Sequence, residues 1–196
     1  KSKGAEGDAF DKLEKVIKIQ NFNILTAIKQ EVQDVNKLKN LPNTRDNNIL
    51  EPPVFDLQMV IDSYIEDDFK EAIYRAESLL KKFPNSLTLN NIAGAAHSAV
   101  SNYDTAIIYY SCALKINPMD AMVHYNIGNV FYSMGELDTA LVHYNKSIAV
   151  NPDYFLAHKN KANALKGLGK MVAASASYKS ALACRPQDAV NYYDIG

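Results

Sequence analysis

The side chains best suited to nucleophilic, acid–base or metal chemistry in this 196-residue chain are four histidines and two cysteines. They are His97, His124, His143, His158, Cys112 and Cys184. Such chemistry needs partners at fixed offsets: a base beside a nucleophile, or several ligands close enough to share one metal ion. No Walker loop, dinucleotide glycine pattern or HExxH pair occurs. His97 and His143 have no patterned acidic or cysteine neighbour, and two cysteines are too few for a disulfide scaffold or a Cys-rich zinc site. Asp67, Asp68 and Asp104 read as residues at helix starts, not as a paired-carboxylate site. The expectation is therefore no catalytic residues, no metal and no cofactor.

The bulk properties narrow the remaining classes. The chain is 47% apolar and 22% charged, with a net charge of -1 and a pI near 6.5. That is the composition of a folded domain, and it lacks the basic surplus of a dedicated nucleic-acid binder. No apolar run approaches the roughly 18 residues of a membrane span. The chain opens at Lys1 and closes at Gly196 inside a repeat, so it is expected to be a piece of a longer protein. A cytoplasmic location is expected.

The elements that position these residues are set by a repeat. Pro84, Pro118, Pro152 and Pro186 are separated by 34 residues each. Ala72, Ala106, Ala140 and Ala174 keep the same interval, as do Gly94, Gly128, Ala162 and Gly196. Tyr110, Tyr144 and Tyr178 form a further row. Within the third period, apolar residues recur at helical spacing over about 121–134 and again over 137–150. Small Gly128 and Ala140 let those two helices approach, while Phe131 and Tyr144 are expected to fill the space between units. Gly135 suits the turn between them. Asn117-Pro118 and Asn151-Pro152 stop the second helix of their units, because proline disfavours helical geometry in the residue before it.

The pattern resembles the tetratricopeptide repeat (TPR) family, whose unit is a 34-residue helix–turn–helix. In that register the units run 53–86 (degenerate), 87–120, 121–154 and 155–188, with a truncated unit over 189–196. The resemblance implies an all-α fold, a solenoid of stacked antiparallel helix pairs winding as a right-handed superhelix. Residues 1–52 then form an N-terminal helical segment and linker. Its apolar stripe over 8–40 either caps the first unit or pairs with a second copy, giving a homo-oligomer.

In that family the concave groove is lined from the first helix of each unit. Carried over place by place, the resemblance implies a groove containing Asn91, Tyr125, Asn126, Asn129, Tyr132, Lys159, Asn160, Asn163 and Lys166. Asn126 with Asn129, and Asn160 with Asn163, sit one turn apart on one face. An amide both donates and accepts, so such a ladder can pair with the backbone of an extended peptide. It is similar to the asparagine-lined groove of the TPR arm of O-linked N-acetylglucosamine transferases. The alternative is that these amides merely solvate the helix. A carboxylate clamp of the kind some TPR domains use on chaperone termini is not expected. Lys159 and Asn163 match its first two places, but Asp194 stands where asparagine is required. Lys161 occupies a normally apolar place, and its stem is expected to pack while the ammonium reaches the edge. His124 and His158 fall at the same place of successive units, about 10 Å apart on neighbouring helices. That suits packing and not a shared metal.

The functional expectation is a non-catalytic protein–protein interaction module that binds an extended peptide or protein segment, with no nucleic acid and no membrane span. The alternatives are the substrate-recruiting arm of a larger glycosyltransferase, sulfotransferase or oxygenase, and a dimeric scaffold or chaperone assembled through the N-terminal helix.

Overall fold

The computed structural model describes residues 51–185, and among them every regular element is a helix. The helices are α1 (Val54–Ile65), α2 (Phe69–Leu80), α3 (Leu87–Ala99), α4 (Tyr103–Ile116), α5 (Ala121–Ser133), α6 (Leu137–Val150), α7 (Phe155–Gly167) and α8 (Met171–Cys184). The stripe expected over 8–40 and the truncated fifth unit, with Asp194, lie outside the described residues. The helices pair as α1–α2, α3–α4, α5–α6 and α7–α8, and the second helix of each pair packs on the first helix of the next. First helices also touch one another in succession, α1 to α3 to α5 to α7, so they form a common inner layer. The result is an all-α solenoid.

Local chemistry explains where each helix begins and ends. Asp68, Ser86 and Asp120 cap α2, α3 and α5, their side-chain oxygens accepting from the backbone N–H three residues on. Asn117 and Asn151 leave helical geometry at the ends of α4 and α6, immediately before Pro118 and Pro152. The turn inside each hairpin needs one left-handed residue. Asp67, Ser101, Gly135 and Gly169 fill that place, with φ of 59°, 61°, 81° and 72°. Glycine adopts this conformation freely, whereas aspartate and serine carry a Cβ into it at a cost.

Packing follows the small-residue rows. Ala72, Ala106, Ala140 and Ala174 are all buried where the two helices of a hairpin meet. Gly94 and Gly128 make room for aromatic rings: a Cβ on Gly128 would stand 2.6 Å from Cε1 of Tyr144, and one on Gly94 would stand 2.7 Å from Cδ1 of Tyr110. Tyr144 also joins one buried cluster with Phe155, Leu156 and Ala157 of the next unit, as its row suggested. Its ring lies against Gly128 on the first helix of its own hairpin as well. Phe131 packs against buried clusters that reach both neighbouring units and stacks on His143 of its own hairpin, ring centroids 5.6 Å apart.

Candidate peptide groove

The inner layer carries the residues expected to line a groove, and the structure places them in three environments. Asn91, Tyr125, Asn126 and Asn160 are buried. Asn129, Lys159 and Asn163 are partly buried. Tyr132 is 41% exposed, and Lys166 is exposed.

The amides do not stand apart from the fold. Asn126 Nδ2 on α5 donates to Asn91 Oδ1 on α3 at 2.9 Å. Asn160 Nδ2 on α7 donates to Asn129 Oδ1 at 2.8 Å and lies 3.2 Å from the Tyr125 hydroxyl, both on α5. The amides of one unit thus reach back to side chains of the unit before. Asn129 and Asn163 also brace their own hairpins. The Tyr144 hydroxyl donates to Asn129 Oδ1 at 2.9 Å, and the Tyr178 hydroxyl donates to Asn163 Oδ1. Burial pushes Tyr125 up to about 12, so its hydroxyl stays protonated at neutral pH.

Among the amides of this layer, two atoms remain without a hydrogen-bond partner. Asn91 Nδ2 is a donor and Asn126 Oδ1 is an acceptor, and both are buried. They belong to the two side chains already joined by the 2.9 Å bond, so an unused donor and an unused acceptor sit on adjacent units. A buried polar atom left unpaired is costly and calls for an explanation.

The histidines are accounted for by packing and by bonds along the chain. Nε2 of His124 lies 3.2 Å from the Pro118 carbonyl, and Nε2 of His158 lies 2.8 Å from the Pro152 carbonyl. Asn90 makes the equivalent contact, Nδ2 donating to the Pro84 carbonyl at 3.1 Å. Sequence reasoning assigned His124 and His158 to packing and missed this shared role. Its signal was available, since each donor stands six residues after its proline. His97 joins a cluster the sequence did not announce: its Nε2 lies 3.1 Å from Glu77 Oε1, the Tyr109 hydroxyl donates to the same oxygen, and Asn102 Nδ2 lies 3.3 Å from His97 Nδ1. That cluster ties α2 to the next hairpin. His143 is pushed down to about 4, first by burial and then by the charges of Lys146 and His124.

Chemically, the layer offers neutral amides and phenols, with lysines on α7. Among the described residues no group of three His, Cys, Asp or Glu side chains could hold a metal ion, and no helix is long and apolar enough to cross a membrane.

The comparisons with known proteins agree with this architecture. Residues 121–154 match the tetratricopeptide repeat model, and residues 100–135 match a second model described as TPR repeat. Tetratricopeptide repeats therefore cover residues 100–154. A crystal structure of MamA is similar to this chain with a TM-score of 0.60 at 23% identity, covering 90% of this chain and 95% of that one. The MamA RS-1 ArsTM double mutant gives 0.62 at 17% identity, over 91% and 96% of the two chains. A point mutant of the Thermobaculum terrenum O-GlcNAc transferase gives 0.54 at 23% identity, and there the match spans 57% of this chain but 21% of the enzyme. At these identities the likeness is one of fold. A search of curated proteins returned no match.

Proposed function

We propose that this TPR array is a non-catalytic protein-interaction module whose inner layer grips the backbone of an extended segment of another protein. The observation that carries the reading is the layer of first helices packed side by side, on which Tyr132 and Lys166 stay exposed and Asn129 and Asn163 are partly so. A peptide group presents one carbonyl and one N–H, and an asparagine amide can pair with both. Such recognition depends on the partner's backbone and tolerates varied side chains. Tyr132, exposed on the same layer, adds a rigid amphipathic contact surface.

The reading is tested with the 196-residue protein and peptides selected on it from a random display library. Tyr132 and Asn163, which solvent reaches, are replaced together by alanine. Two lost bonds of about 1 kcal/mol each correspond to roughly 30-fold weaker peptide binding, read by fluorescence anisotropy. The helical circular dichroism should persist. Unchanged affinity in the folded double variant refutes the backbone grip, and a library that yields no binder refutes the groove itself.

A further inference from the structure

The α1 end of the solenoid is apolar at places that the repeat buries everywhere else. In later units the third and seventh residues of the unit, both on its first helix, are covered by the second helix of the unit before. Leu89 and Ala93 share a buried cluster with Ala72 and Ala76 of α2, and Val123 and Ile127 share one with Ala106 and Ala113 of α4. Those four residues are at most 3% exposed. In the fourth unit Ala157 is buried at the third place and Lys161 is partly buried at the seventh. The first unit puts Phe55 and Met59 at these two places, and they are 73% and 36% exposed. A shallow pocket beside Met59, lined also by Tyr74 and Leu79, extends the face onto α2. A terminal unit that meets water presents a polar outer face. Two large apolar side chains at the covered places describe a surface built to receive another helix.

We propose that this face docks a segment of the same chain, residues 24–35, which lie outside the described residues. The inference is independent of the groove reading. Ile24, Ile28, Val32 and Val35 follow one another at steps of four, four and three, which puts them on one face of a helix. The segment has the same twelve-residue length as α1, about 18 Å as a helix. The chain enters α1 at a fixed point: the Glu51 carboxylate accepts from the Ser86 hydroxyl and, at 3.0 Å, from the Leu87 N–H. Residues 36–50 can span about 50 Å when extended, more than enough for the segment to return along α1. A tethered segment meets the face at an effective concentration in roughly the millimolar range, which favours it over a second copy. A preceding unit joined by the regular junction does not fit. Asn90 donates to the proline carbonyl six residues before it, and His124 and His158 place Nε2 against theirs. Asp56 holds that place in the first unit, and a carboxylate accepts hydrogen bonds without donating them. Once seated, the segment would close the end of the array against head-to-tail stacking of copies.

The experiment uses the full 196-residue chain with the photo-crosslinking residue p-benzoylphenylalanine in place of Phe55. Unlabelled and nitrogen-15-labelled protein are mixed before irradiation, and the adducts are mapped by mass spectrometry. The expected result is an adduct within residues 24–35, with both sides of the crosslink from one isotopic pool. Mixed-isotope adducts assign the face to a second copy and overturn the proposal. Adducts confined to α1 and α2, or no adduct, also overturn it. Hydrogen exchange gives a second reading on the unmodified chain. Amides of residues 24–35 should be protected, and Phe55→Ser with Met59→Ser should speed their exchange roughly tenfold or more, the scale of losing a buried large apolar side chain. Exchange over α3–α6 should stay as it was, which shows that the array remains folded. Residues 24–35 that exchange freely in the unaltered chain, or keep their protection in the double variant, overturn the proposal.

Discussion

Replacing Gly128 by alanine places a methyl carbon 2.6 Å from Cε1 and 2.7 Å from Cδ1 of Tyr144. The ring has little room to withdraw. It is fully buried, and its hydroxyl is tied to Asn129 at 2.9 Å. Overpacking of this kind costs about 1–3 kcal/mol, and straining the tyrosine–asparagine bond adds about 1. Alanine returns about 1 kcal/mol of helix propensity. The net expectation is a loss of about 1–3 kcal/mol. The fourth unit supplies an internal comparison, because Ala162 stands there in the glycine row and Tyr178 in the tyrosine row. Tyr178 is only partly buried and still reaches Asn163. A Cβ is therefore tolerated where the ring is less enclosed, and the cost at Gly128 comes from enclosure as well as from the methyl group. Urea denaturation followed by circular dichroism measures the loss as a lower midpoint. Combining Gly128→Ala with Tyr144→Leu should show a coupling of at least about 1 kcal/mol, since the second change removes the ring the methyl strikes. A midpoint unchanged or raised by Gly128→Ala, or purely additive effects in the double variant, would refute the close-approach argument.

Two other outcomes are expected. Asp67→Gly and Ser101→Gly should each stabilise the array by up to about 1 kcal/mol in the same denaturation assay, because both native residues hold φ near +60°. The pH dependence follows from His143, held near 4 in the folded chain against an ordinary 6.5. As pH falls below 6.5 the unfolded chain takes up the proton and the folded chain does not. Stability is therefore lost between about pH 6.5 and 4 and does not change further below that window. The ceiling is roughly 3 kcal/mol, and partial exposure of the ring reduces it to about 1–2. His143→Phe keeps a ring against Phe131 and should flatten the denaturation midpoint between about pH 7 and pH 5; an undiminished slope would contradict the assignment.

The periodic rows made the helices legible. The second helix of the third unit begins at Leu137 and ends at Val150, as its spacing and the following Asn-Pro dictate. Gly135 could be read as a left-handed turn from its residue type, but Asp67 and Ser101 could not; only the 34-residue register assigns them the same conformation. The amides show where residue-level reading stops. Asparagine has the same donors and acceptors whether its partner is a ligand or a neighbouring helix. Sequence placed Asn91, Asn126, Asn129 and Asn160 on one layer. Distances were needed to show that Asn126 reaches Asn91 and that Asn160 reaches Asn129, leaving one donor and one acceptor over. His143 was obscure for a related reason: its perturbation arises from burial in the hairpin and from Lys146 and His124, which no local motif encodes.

The three contacts from Asn90, His124 and His158 to Pro84, Pro118 and Pro152 each close over a single junction. Copying or excising one whole period would deliver every donor to an equivalent carbonyl, while a gain or loss of half a period would strand both ends. Gene-level duplication in steps of thirty-four codons is therefore a permitted route for lengthening this protein, and splice or recombination points inside a hairpin are not.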